Sequence, residues 1–202
     1  MTGLWFLNYV TDFADEAVVM PVVVTVALCL VITGWWRGAR AWLIGAGGVL
    51  LSILLLKLAF LSCASEHALR SPSGHTAAAA VTCGGLVALL TGRLRWALAV
   101  SALAAAVIGG SRLALGVHTA PEVLVGALIG VGGAGATAWL AGPVPVFNRN
   151  WMAMSALTIV VLLHGMRMPA EAEIGHIANR LAIFLPICPL PDGQGHLALE
   201  TR

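Results

Sequence analysis

The chain has 202 residues, of which 59 % are hydrophobic and only 10 % are charged, with a formal net charge of +2. Soluble domains carry about 25 % charged residues, so this composition excludes a water-soluble globule and leaves an integral membrane protein. No nucleic-acid partner is expected.

Residues 1–16 interleave Trp5, Phe6 and Tyr9 with polar residues and end in Asp12, Asp15 and Glu16, the mixture of an interfacial segment. They lack the basic start and small-residue cleavage site of a secretory signal peptide, so the segment is expected to stay with the protein. Apolar runs then predict spans at roughly 17–34, 41–60, 75–92, 95–112, 119–140 and 151–166, several near the minimum of about 17–20 residues needed to cross the hydrocarbon. Arg37 and Arg40 follow the first span, Arg93 and Arg95 the third, and Arg149 the fifth, so this side is expected to be cytoplasmic. The opposite side receives Asp12, Asp15, Glu16, Glu66, Glu122, Glu171 and Glu173 together with the histidine-bearing loops; in a bacterial inner membrane it is the periplasmic face. Gly126 and Gly130, four apart, and the run Gly132–Ala136 suit close approach of helix backbones.

After the last span, Ile174, Ile177, Leu181 and Phe184 recur at helical spacing among acids, His176 and Arg180, which predicts an amphipathic surface helix over 170–185. Residues 186–202, rich in proline and glycine, carry no strong structural signal and are expected to be a poorly ordered tail. The expected architecture is an all-α integral membrane protein, a six-transmembrane-helix bundle with interfacial helices at its N- and C-terminal ends. It forms one domain over 1–202, with its core at 17–166.

Two clusters carry chemistry. The first, Ser71-Pro72-Ser73-Gly74-His75, stands where a polar loop turns into an apolar helix. Ser71 suits the cap, Pro72 the first helical position, and Gly74 a close backbone approach. A helix N-terminus with exposed N–H groups is an anion site, so phosphate is the expected guest. The second cluster is Ser111-Arg112, then His118, then Glu122. Two crossings separate the clusters, so parity returns both to the same face, and ionisable residues at the rim of membrane spans mark a functional site.

Pro72-Ser73-Gly74-His75, followed by Ser111-Arg112, five residues, His118, three residues and an acid, resembles the type 2 phosphatidic acid phosphatase superfamily. The motifs cover roughly residues 57–122. The resemblance implies metal-free and cofactor-free hydrolysis of a phosphate ester or anhydride, in the membrane branch a lipid phosphate taken from the bilayer. It implies His118 as the nucleophile that forms a phosphohistidine, His75 as the acid that protonates the leaving oxygen, and Glu122 as the carboxylate that holds His118. Lys57, Arg112 and the backbone at Ser73-Gly74 would bind the phosphoryl oxygens.

The chain departs from the family pattern twice. The acid after His118 is glutamate where the family has aspartate, and Thr119-Ala120-Pro121-Glu122 also has capping-box spacing. In the first motif Lys57 is present, but Ala64-Ser65 stand where the family has arginine and proline. Arg70, one residue before Ser71, is the expected replacement, with anchoring at the headgroup layer or pairing with Glu66 as the plainer alternative. The spacing of His118 and Glu122 does not make a metal site without a third ligand, and none is expected. His164, in the last span, is expected to be hydrogen-bonded in the bundle or near its rim; Cys63 and Cys188, both on the catalytic side, are candidates for a disulfide. Two alternatives to a phosphatase stand beside it: a phosphotransferase on the same scaffold, and a binder of lipid phosphates without chemistry.

Overall fold

The computed structural model describes residues 2–62, 71–145 and 148–184. Among them every regular element is helical: α1 (Thr2–Thr11), a 3-10 turn (Asp12–Ala14), α2 (Glu16–Ile32), α3 (Trp36–Ser62), α4 (Gly74–Thr91), α5 (Leu94–Ala114), α6 (Ala120–Ala141), α7 (Arg149–Leu163) and α8 (Ala170–Phe184). Five stretches are long and apolar enough to cross a membrane, the first joining α1 to α2 and the others being α3 to α6. The chain is a multi-pass membrane protein. The sixth expected span is α7, an apolar helix of 15 residues, which at 1.5 Å per residue reaches about 22 Å, short of the hydrocarbon thickness.

Helix boundaries follow local chemistry. Asp15 caps α2 by accepting the Ala17 N–H at 2.9 Å, and Gly92, at φ +65°, ends α4 in the left-handed region that glycine enters without penalty. The expected cap of α4 at Ser71 is corrected to Ser73, whose side chain accepts from the Thr76 N–H. Only at that position does a hydroxyl face the orphan N–H three residues on. Gly74 is thus the first helical residue and His75 the second.

α4 is the central helix. Of its span 67 % is buried, against 28–44 % for the other four, and it packs on α3, α5 and α6. Small residues make this possible. A Cβ on Gly126 would stand 2.4 Å from the Ser73 carbonyl oxygen, and one on Gly130 would stand 2.6 Å from that of Ala77. The glycine pair therefore lets α6 lie directly on the start of α4, the packing role its spacing suggests. Gly126→Val is expected to destabilise the protein by about 1–3 kcal/mol, the cost of overpacking, and to displace Ser73 and its neighbours. Thermal unfolding in detergent checks it; an unchanged Tm would mean that the contact relaxes freely.

The basic connections meet at one end of the bundle. Arg37 Nε donates to the Leu140 carbonyl at 2.9 Å, and Arg149 donates to the Leu90 carbonyl. At the other end α1 packs against α5, and α8, as expected for 170–185, lies against α3. His164, at the C-terminus of α7, stacks on Phe13 at 4.0 Å and meets Tyr9 edge-on at 4.3 Å. Among the described residues neither of its ring nitrogens has a hydrogen-bond partner, and aromatic contact stands where a hydrogen bond was expected. Cys63, Glu66, His67, Arg70, Cys188, His196 and the tail lie outside the described residues, and with them the expected disulfide and the arginine replacement.

Candidate active site

Glu122 is the hub. It occupies the third position of α6 and completes a capping box with Thr119, its Oε2 accepting the Thr119 N–H at 2.9 Å. The same Oε2 lies 3.1 Å from His118 Nδ1, and Oε1 accepts the Ser71 N–H at 3.1 Å. Its backbone carbonyl accepts the Ser73 N–H, also at 3.1 Å. One residue thus joins the α5–α6 loop to the start of α4. The capping function and the histidine contact, which the sequence presented as compatible readings of Glu122, are made together by one carboxylate.

A carboxylate can only accept, so the short contact puts the His118 proton on Nδ1 and leaves the Nε2 lone pair available. The side chains of His118 and Glu122 are only 8 % and 6 % exposed. Burial holds the His118 pKa below the usual 6.5; Arg112 and Lys57 push it the same way, while Glu122 opposes them. The imidazole is therefore neutral at pH 7 although a carboxylate touches it. That electrostatic influence also places Arg112, in the last turn of α5, and Lys57, on α3, within range of His118.

Lys57 is 1 % exposed. A Cβ on Gly74 would stand 3.3 Å from its Nζ, so glycine at that position gives the ammonium room beside the first turn of α4. The Gly74 N–H, at the first helical position, has no intrahelical acceptor. Ser73 differs from the sequence expectation: its N–H donates to the Glu122 carbonyl, and its hydroxyl accepts the Thr76 N–H and shares a hydrogen bond with the Thr76 hydroxyl. The Ser73 N–H is thereby committed to holding the loop, where the sequence had it facing a phosphate.

His118, Glu122, Arg112, Lys57 and Gly74 converge, with His75 on the adjoining face of α4. Residues 61–144 match the family model of the PAP2 superfamily. This segment belongs to the PAP2 superfamily. Neither the curated proteins nor the solved structures gave a match. PAP2 proteins act as phosphatases on phosphate esters, and the match supports a hydrolase of that class. It spans both clusters, from Ser71 to Glu122.

His75 has neighbours that sequence reasoning missed. Its Nε2 is 3.8 Å from Asp15 Oδ2, with both side chains buried, and Glu16 brings a further carboxylate within 4.8 Å of both. Among the described residues this is the grouping with the makings of a metal site, rather than His118 with Glu122. Asp15-Glu16 before an apolar run is a recognisable helix start. Only packing of the N-terminal segment on α4 brings it to the histidine.

Proposed function

We propose that the protein is a metal-independent lipid phosphate phosphatase working through a phosphohistidine. His118 Nε2 attacks phosphorus, the bond from phosphorus to the lipid oxygen breaks, and His75 gives its proton to that oxygen. Water then attacks the phosphohistidine, returning its proton to His75 and freeing His118. Lys57, Arg112 and the Gly74 N–H meet the charge that builds on the phosphoryl oxygens, and Glu122 fixes the tautomer of His118. The observation that carries this reading is the Glu122 carboxylate, which holds His118 by one oxygen and the Ser71 N–H by the other.

A lipid substrate is favoured by a groove of about 400 Å³ lined almost wholly by apolar side chains, among them Phe13, Ala79, Leu86, Leu103 and Ile108. Ala79 is one turn below His75, so a hydrocarbon tail in this groove would leave its headgroup at the catalytic end. The arginine-bearing end is read as cytoplasmic by the positive-inside rule, which in a bacterial inner membrane makes the catalytic face periplasmic. Arg70 is retained as the third cation of the site.

The test is inorganic phosphate release from long-chain lipid phosphates in detergent, with EDTA and no added acceptor. Stoichiometric release, blocked by vanadate, is the expected result. Consumption of the lipid phosphate only when an alcohol acceptor is supplied, with the phosphoryl group recovered on that alcohol instead of as inorganic phosphate, would make the protein a phosphotransferase. Loss in EDTA with recovery on adding a divalent metal would overturn the mechanism.

A further inference from the structure

We infer that Asp15 is a positioning residue for His75, holding its imidazole as the proton-bearing acid that faces the leaving oxygen; this rests on the reading of His75 as the general acid. Asp15 stands between the 3-10 turn and α2, sixty residues from His75 in sequence, and its two oxygens divide their work. Oδ1 accepts the Ala17 N–H at 2.9 Å and the Met168 N–H at 3.1 Å, which ties the start of α2 to the segment after α7 and fixes the carboxylate plane. Oδ2 is left facing His75 Nε2 at 3.8 Å. That separation is ion-pair range and longer than a hydrogen bond. The interaction is therefore an attraction of charge for the imidazolium.

Capping and tethering alone would be served by a single oxygen, and Asn or Ser caps a helix as well as Asp does. A second, buried oxygen directed at a buried imidazole stabilises a positive charge there, because screening by water is weak. The two histidines of the site are thus held in opposite states by their surroundings. His118 is buried near Lys57 and Arg112, which disfavour its protonation, whereas His75 faces Asp15 and Glu16. A nucleophile needs the first environment and a proton donor the second. When His75 has protonated the departing alkoxide it is neutral, and Asp15 then favours its recovery of a proton from the attacking water.

The experiment compares two substrates, a long-chain alkyl phosphate and 4-nitrophenyl phosphate, in EDTA so that an ion at the Asp15, Glu16 and His75 group cannot supply the difference. An alkoxide leaves poorly without a proton, while 4-nitrophenolate leaves readily without one. Asp15→Asn keeps an acceptor oxygen for Ala17 and Met168 and removes the charge. It is expected to lower kcat on the alkyl phosphate at least about 30-fold, part of the ~10²–10⁴-fold that a general acid contributes, and to change kcat on the aryl phosphate less than about 3-fold. Asp12→Asn, which breaks the pair with Arg167 in the same segment, is expected to shift Tm and leave the ratio of the two rates unchanged. If Asp15→Asn does not fold, Asp15→Ser, also a good cap, gives the same ratio. An equal loss on both substrates, or no loss on either, overturns the inference. A failure of the underlying reading is distinguishable: His75→Ala would then itself lower the two rates equally.

Discussion

His118→Ala is expected to lower lipid phosphate hydrolysis at least about 100-fold, with its fold and Tm close to wild type. The size follows from losing covalent catalysis, whose purpose is to divide one hard displacement into two easier ones. Fold is spared because, among the described residues, the imidazole is held by Glu122 alone, and that carboxylate oxygen keeps the Thr119 N–H when the ring is removed. Rates of phosphate release and unfolding curves measured on the same preparation check both halves. Turnover within a few-fold of wild type would remove His118 from the mechanism.

Glu122→Gln should cost nearly as much, and for a different reason. The carboxylate accepts Ser71 on one oxygen and Thr119 with His118 on the other, while an amide has only one oxygen to accept with. Whichever way it turns, an N–H faces an NH₂. Either the Ser71 N–H before α4 loses its acceptor, or His118 loses the partner that fixes its tautomer. A fall in kcat of about 10²- to 10⁴-fold is expected, with a loss of about 0.5–2 kcal/mol if the helix cap is the contact given up.

The variant also has a signature in pH. The carboxylate raises the His118 pKa while burial, Arg112 and Lys57 lower it to below 6.5. The neutral form is the nucleophile, so the acid limb of kcat/KM that belongs to His118 should lie below pH 6.5 in wild type. Removing the carboxylate charge lowers the pKa further, and the residual activity of Glu122→Gln should hold to a still lower pH. Because the substrate and its own titration are the same in both profiles, the difference belongs to the protein. A limb that moves upward in the variant would contradict the assigned electrostatics.

Much of this architecture was legible in the sequence because membrane helices announce themselves by length and apolarity. The expected span at 119–140 is α6 at Ala120–Ala141, and that at 75–92 is α4 at Gly74–Thr91. The span expected at 41–60 begins earlier, at Trp36, since Arg37 is accommodated within the helix by donating to the Leu140 carbonyl. The cap of α4 was displaced by two residues because Ser71 and Ser73 are equally good caps in isolation. Glu122, about fifty residues away, accepts the N–H of both and so sets the loop, and in that setting it is the Ser73 hydroxyl that receives the Thr76 N–H. The N-terminal segment was legible as polar and aromatic. Its role was not: Asp12 pairs with Arg167, and Asp15 with His75 and Met168, contacts that join chain ends far apart in sequence. His118, Glu122, Arg112, Lys57 and Gly74 could be named together because their motif spacing survives in one dimension. The acids beside His75 belong to no such spacing.

The central claim is that the phosphoryl group passes through His118, and rapid acid-free quenching of a reaction with ³²P-labelled lipid phosphate tests it most directly. The account predicts a protein-bound label that forms before phosphate is released, survives alkali, is lost in acid, maps to the peptide containing His118 and is absent from His118→Ala. Phosphate release with no labelled protein at any time, or a label that survives acid, would contradict it.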